Sequence, residues 1–173
     1  MKARLRPLWL VESHVRGLIS LSRWFYRRVP VIGRAVSLVI DRLMLTIFGL
    51  DVTSHSIAVR RLSISHPNGV LLGGNGVVSA GRVAIMAGVK FVGRSPSNAG
   101  YVAAAQAGRT FVFGDNVVIG VNSVIVGPVD ICDNVVIGTM SLVNRSISEP
   151  GTYVGIPVRK ISDEASDEWV AHL

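Results

Sequence analysis

From Phe113 to Val143 an aliphatic or aromatic residue returns every six positions: Phe113, Ile119, Ile125, Ile131, Ile137 and Val143. Four residues beyond each stands a small or aliphatic one: Val117, Ser123, Val129, Val135, Ser141 and Ile147. A helix cannot hold a period of six on one face, and a flat strand would alternate at two. A three-sided solenoid satisfies it, because each hexad then supplies one short strand and one corner. Three hexads close a coil of eighteen residues, and the sequence states that step directly. Phe113-Gly114-Asp115-Asn116-Val117-Val118-Ile119-Gly120 returns as Ile131-Cys132-Asp133-Asn134-Val135-Val136-Ile137-Gly138. Asp-Asn pairs suit the corners, since they tolerate unusual dihedrals and hydrogen-bond their own backbone. Stacked repeats of this kind form a nearly one-dimensional fold whose ends must be capped.

Upstream, Leu72, Val78, Ile85 and Phe91 continue the pattern with steps of six, seven and six. Between Arg94 and Thr110 the period vanishes, so residues 94–110 read as a loop ejected from a corner, where rigid scaffolds often carry function. With residues 52–71 included, the repeat predicts a mainly β protein, a parallel β-helix of roughly five coils over residues 51–161. Residues 1–50 follow a helical spacing instead: Leu8, Val11, Val15, Leu18, Ile19 and Ser22 lead to the cluster Arg23-Trp24-Phe25-Tyr26-Arg27-Arg28. Pro30 interrupts. A second helical segment, residues 31–48, is apolar at Ile32, Ala35, Val36, Val39, Leu43 and Ile47, with Gly49 as its stop. The expected organisation is an N-terminal helical cap (1–50), the β-helix (51–161) and an acidic C-terminal tail (162–173) that caps the other end.

Charge sharpens this division. The chain of 173 residues carries a net +7, and residues 1–50 hold nine basic side chains against two acids. The remainder is balanced, nine against nine. The basic character therefore belongs to the helical cap, and nucleic acid is not an expected partner. A hydrophobic fraction of 49% excludes a disordered chain, and the single Cys132 excludes a disulfide scaffold. Arg34, Asp41 and Arg42 break the second segment, which falls short of the ~20 apolar residues of a membrane span. No compact apolar run marks a signal peptide, so a cytoplasmic location is expected. Residues 1–28 read equally well as a helix lying on the inner face of an anionic membrane or as one packed on the main domain or a sister subunit. Packing is favoured for residues 31–48.

Three short motifs narrow the reading. These are Leu50-Asp51-Val52, then Ser65-His66-Pro67-Asn68-Gly69 with His66 fifteen residues after Asp51, and Gly155-Ile156-Pro157-Val158-Arg159. With the hexads, they make residues 50–160 resemble the hexapeptide-repeat acyltransferases, which have a left-handed parallel β-helix. The similarity is greatest to serine acetyltransferases and the related O-acetyltransferases of surface-polysaccharide clusters. The resemblance implies a homotrimer that uses acetyl-CoA as co-substrate, with His66 as catalytic base and Asp51 as its partner. It also implies a coenzyme A site at the stretch Gly155, Pro157, Arg159 and Lys160, bordered by Gly93. Departures bear on the acceptor. Ser65 stands where the family has an acceptor-binding Asp, and Arg109-Thr110-Phe111 stands where it has Arg-His-Pro. Val92-Gly93-Arg94-Ser95 replaces a Gly-Gly-Thr-Gly loop entry, and the helical cap is short. Ser65 and Arg109 are the expected acceptor contacts.

The residues meet the chemical need directly. Transfer of an acetyl group from a thioester to a hydroxyl needs a base, and an imidazole with an ordinary pKa near 6.5 suits neutral pH. A carboxylate at its other nitrogen fixes the tautomer and stabilises the imidazolium. Gly73-Gly74 or Gly93 would offer backbone donors to the oxyanion. Arg159 and Lys160 suit coenzyme A phosphates, with Lys90 and Arg145 as further candidates. His14, His55 and His172 read as structural, and Cys132 as a small corner residue. No His/Cys/Asp set has metal-ligand spacing, so no metal is expected. The expected activity is an acetyl-CoA-dependent O-acetyltransferase acting on a small hydroxyl acceptor, a sugar or polysaccharide precursor. The alternatives are a serine O-acetyltransferase of cysteine biosynthesis and a catalytically weak β-helix scaffold or regulator.

Overall fold

The computed structural model describes residues 11–73, 75–166, 168 and 170–171. Leu8, Gly74 and His172, singled out above, lie outside the described residues, as do Trp169 and the first ten residues of the segment 1–28. Among the described residues two α-helices, α1 (Val11–Arg28) and α2 (Ile32–Phe48), precede thirteen strands, and a third, α3 (Ala99–Gln106), interrupts them. Gly49 ends α2 in the left-handed conformation with φ 65°, its amide donating to Leu45 O. Leu50 donates to Met44 O. Together these form the helix stop that glycine allows.

The strands stack in three parallel ladders. The first runs β1 (Asp51–Val52), β3 (Leu71–Leu72), β5 (Lys90–Val92), β8 (Val124–Val126) and β11 (Leu142–Val143). Strands β2 (Ile57–Ile64) and β4 (Val77–Ile85) are long enough to bend round an edge and serve both other ladders. Val77–Ser79 pairs with β6 (Phe111–Phe113), which pairs with β9 (Val129–Ile131). Val83–Ile85 pairs with β7 (Val117–Ile119), followed by β10 (Val135–Ile137) and β12 (Gly151–Val154). Partners Val117–Val135, Val124–Leu142 and Phe111–Val129 are each eighteen residues apart, the step the sequence repeats.

All six hexad anchors are buried, and so are all six residues four positions later. The serines among the latter satisfy themselves: the Ser141 amide donates to Ser123 Oγ, and the Gly155 amide to Ser141 Oγ. At the corners Asn116 and Asn134 take φ of 61° and 55°, and Asn116 Nδ2 donates to Asn134 Oδ1 at 2.8 Å. The seven-residue step between Val78 and Ile85 is a β-bulge. The Val59–Ser79 pairing resumes as Arg61–Arg82, with one extra residue on β4. Phe91 meets Phe111 and Phe113 edge-on, at 5.1 and 5.9 Å between ring centres, and fills the core below the loop.

Three expectations change. The loop 94–110 contains α3, capped by the Asn98 side chain, which accepts from the Tyr101 amide. Its alanine run favours a helix without any apolar period, so periodicity could not reveal it. On α1, Val15, Ile19 and Ser22 are buried as expected. On α2 the buried side is Gly33, Ser37, Ile40, Asp41 and Met44, whereas Ile32, Val39, Leu43 and Ile47 are exposed. The cap docks through small and hydrogen-bonding groups, so the bulky stripe faces outward. Finally, the end of the stack is not left to the tail alone, whose described part touches it where Thr152 Oγ1 donates to Glu164 O. Strand β13 (Arg159–Ser162) closes it by pairing antiparallel with β12, and Val170 lies buried on the flank against Ala84 and Val118.

Candidate functional site

His66 stands in a turn between the third ladder and the first. Four backbone bonds hold it: Ser65 N to Ile85 O, Gly69 N to Gly49 O, Val70 N to Pro67 O, and Gly88 N to Asn68 O. The pairings Ile64–Ile85 and Leu71–Lys90 show that this turn is oversized. Seven steps separate Ile64 from Leu71, against five from Ile85 to Lys90, from Ile119 to Val124 and from Ile137 to Leu142. Two extra residues push the turn out of the stack at the position of the imidazole. His66 is exposed and takes φ of 57°, a conformation that non-glycine residues seldom adopt and that clusters at functional sites.

Asp51 is exposed on β1, and its amide donates to Val70 O at 3.0 Å. The chain leaving the His66 turn therefore runs directly beside the strand that carries Asp51. Among the described residues no hydrogen bond joins the two side chains. Ser65, the neighbour of His66, is half-buried.

At the other end of the stack, Arg145, Arg159 and Lys160 line one groove of about 370 Å³ with Glu149 and Tyr153. Arg159 is exposed. Lys160 is bound to Glu149 at 3.2 Å and Asp163 at 2.7 Å, and these carboxylates raise its pKa. Gly155 and Pro157 are exposed in the turn before β13. Gly93 lies beneath Tyr101 of α3, whose hydroxyl would sit 2.2 Å from a Cβ there. Tyr101 also receives the Asn75 amide group, and Arg94 donates to Asn144 O, so the base of the loop is tied to the stack. Arg109, after α3, is exposed. Lys90 points outward on the first ladder and donates to Gly88 O.

A second groove, of about 240 Å³, was not legible in the sequence. Asp51 lines it together with Tyr26, Arg34, Asp41, Arg42, Thr53 and His55. Tyr26 and His55 stack at 4.1 Å with rings within 6° of parallel, and the Arg34 guanidinium lies 5.7 Å from the Tyr26 ring centre. Burial lowers the His55 pKa; Asp41 opposes the shift and Arg27 adds to it. The available signal was Arg34, Asp41 and Arg42 recurring on one flank of a helix. Burial pushes the Cys132 thiol up, away from nucleophilic use. Among the described residues no group of three or more His, Cys, Asp or Glu could hold a metal, and no helix is long and apolar enough to cross a membrane.

Comparison with solved structures shows that the fold is shared with serine acetyltransferases. The chain is similar to serine acetyltransferase from Brucella abortus in complex with coenzyme A, at 22% identity over 94% of this chain and 60% of that one, TM-score 0.74. The Neisseria gonorrhoeae serine acetyltransferase is similar at 23% identity over 92% and 57%, TM-score 0.72. The soybean serine acetyltransferase complexed with serine follows at 21% over 84% and 55%, TM-score 0.66. This chain spans 55 to 60% of the length of those three proteins. A further structural neighbour, from Brucella melitensis, is described as a bacterial transferase hexapeptide repeat. No family model matches the sequence, and no curated protein matches it.

Proposed function

We propose that the protein is an acetyl-CoA-dependent O-acetyltransferase of a small hydroxyl acceptor, built on a left-handed β-helix of roughly five coils. The observation that carries this reading is the oversized His66 turn beside the Asp51 strand, on a fold shared with acetyltransferases. His66 takes the proton of the acceptor hydroxyl as its oxygen attacks the thioester carbonyl. Asp51 closes on the imidazole and stabilises its charged form. The tetrahedral intermediate collapses by breaking the carbon–sulfur bond, and the departing thiolate receives the proton from His66. Catalytic hydrogen bonds that are open in a free enzyme commonly close only with substrate bound.

The distance between the two ends of the site suits the co-substrate. Four ladder spacings of about 4.8 Å separate β2 from β12, roughly 19 Å. Arg159 and Arg145 would hold the phosphates, Gly155 and Pro157 the adjoining arm, and the arm would carry the thioester back towards His66. Lys160 already has two carboxylate partners and is the weaker phosphate ligand.

A sugar hydroxyl is the proposed acceptor, with Ser65 and Arg109 as contacts, because Ser65 offers no carboxylate to an amino-acid ammonium group. Serine is the second reading, favoured by the serine acetyltransferases among the structural neighbours. A homotrimer is proposed through the first ladder, whose outward residues Leu71, Val92, Val124, Val126 and Leu142 are apolar and interrupted by Lys90. Membrane contact through residues 1–28 is supported by Leu21 and Trp24, exposed beside Arg23, Arg27 and Arg28. Binding to anionic liposomes at low salt tests that contact.

Thiol release from acetyl-CoA with a panel of sugars and serine tests the activity. Transfer that is lost in His66→Ala supports the mechanism; undiminished transfer in that variant overturns it. A chain that neither releases thiol nor gains thermal stability with acetyl-CoA would be the scaffold instead.

A further inference from the structure

The groove beneath the helical cap is lined by Asp51, the proposed partner of His66, and the Asp51 amide donates to Val70 O where the chain leaves the His66 turn. Two arginines, Arg34 and Arg42, and two aspartates, Asp41 and Asp51, line this groove. Arg34, Leu38 and Arg42 stand at successive turns along one flank of α2, and all three line the groove. Neither arginine is in a salt bridge among the described residues. Asp41 also lines the groove, but its carboxylate is committed. Oδ1 accepts from Ser22 Oγ at 2.8 Å and Ser54 Oγ at 2.6 Å, and Oδ2 accepts from the Ser54 amide at 3.0 Å. The exposed apolar residues Ile32, Val39 and Leu43 lie on the opposite flank of α2, so the arginines face the groove and not that stripe. The Tyr26–His55 stack makes a flat wall on the cap side.

Resting on the acetyltransferase reading, we infer that this groove is the acceptor site and that Arg34 and Arg42 select an acceptor bearing a carboxylate or phosphate. Guanidinium groups bind both oxyanions through charge-assisted, two-pronged hydrogen bonds. The volume of about 240 Å³ is below the ~300–1,000 Å³ of pockets for drug-sized ligands, which limits the occupant to about one sugar unit.

The test compares matched acceptors: glucose, glucuronate, glucose 6-phosphate and serine. Each is assayed for thiol release with the wild-type protein and with Arg34→Gln/Arg42→Gln. Preference for a charged acceptor is expected, with its KM rising at least about 10-fold in the double variant while the KM for acetyl-CoA stays. Whether glucuronate, the sugar phosphate or serine is the substrate so affected identifies the source of the oxyanion. Glucose used as well as its charged counterparts, or a charged acceptor whose KM the variant leaves alone, overturns the inference and leaves acetyl transfer standing. If no acceptor releases thiol, thermal stabilisation by the same compounds decides. A shift with the anionic ones that the double variant abolishes keeps the groove and removes the transfer reading. No shift overturns both.

Discussion

Ser54 gives Asp41 both of its donors: its hydroxyl reaches Oδ1 at 2.6 Å and its amide reaches Oδ2 at 3.0 Å. With Ser22 Oγ also donating at 2.8 Å, one buried carboxylate joins α1, α2 and the turn that follows β1. No salt bridge to it is present among the described residues, and these hydrogen bonds satisfy its oxygens. Asp41→Ala would leave the buried Ser54 hydroxyl and amide without an acceptor and break the bond from Ser22, whose hydroxyl retains Ser37. A loss of about 3 kcal/mol is expected, and a fall in Tm of roughly 6–12 °C. Ser54→Ala, which keeps the amide bond, should cost about 1 kcal/mol. Thermal and urea unfolding check both, and an Asp41→Ala protein as stable as wild type would refute the anchoring role.

The His66 turn separates function from folding. The side chain is exposed, and its backbone is left-handed, a conformation asparagine tolerates. His66→Asn should therefore stay within about 2 °C of the wild-type Tm while transfer falls by about 10²–10⁴, the range of a lost general base. A protein that unfolds on this change would make His66 a structural corner residue.

The stack was legible because its period is set by packing. Every eighteen residues the same side chain must fill the same narrow interior, so Ile119, Ile137 and their fellows announce the fold without reference to anything distant. Even the irregular step at Val78–Ile85 surfaced as a real bulge. The cap was legible only as helices. Its docking face is Gly33, Ser37, Ile40, Asp41 and Met44, and the pairing of Asp41 with Ser54 depends on a three-dimensional approach that no local pattern encodes. The apolar period of α2 marked the outward flank for the same reason. At the site, the spacing of Asp51 and His66 was readable, but the extra residues of the turn emerge only from strand register. The groove was hidden because Tyr26, Arg34, Asp51 and His55 come from four separate places in the chain.

His55 gives the cap a dependence on pH. Burial lowers its pKa in the folded protein, so the neutral ring is the form that stacks on Tyr26. The unfolded chain then binds the proton more readily. Stability is full above the ordinary value near 6.5, declines as pH falls through the lowered folded value, and is constant below it. The ring is partly exposed, so the effect should be under about 1 kcal/mol. His55→Phe keeps an aromatic stack and removes the titration. Its stability, measured against wild type between pH 7.5 and 5, should gain on the acid side, and parallel curves would exclude His55 as the titrating group.

Gly81 lies at the bulge in β4, where an added Cβ would come 2.3 Å from the Asp115 Cα. The obstacle is backbone of the next coil and cannot swing aside. Gly81→Ala should cost about 2 kcal/mol or more by forcing the coils apart. Gly73→Ala is the control, because its nearest neighbour would be Phe91 O at an ordinary 3.7 Å. That change should be neutral or slightly stabilising through the loss of unfolded-state freedom. Equal effects of the two substitutions in urea unfolding would contradict the packing argument.

The same corner carries the ion pair of Arg82 with Asp115, 3.0 Å between Nη2 and Oδ2. Asp115 also accepts from the Arg82 amide and Nε, and its pKa falls from 3.8 to about 2. A carboxylate depressed in the folded state contributes stability above its ordinary value and loses it as pH drops towards 2. With 47% of its side chain exposed, solvent screening keeps the contribution to about 1 kcal/mol or less. Asp115→Asn retains an oxygen for the Arg82 amide but not the charge. It should lower Tm by a few degrees at pH 7, and the gap should narrow markedly by pH 2, where the wild-type carboxyl is about half protonated. A gap that persisted undiminished at pH 2 would assign the loss to packing of the asparagine and not to the ion pair.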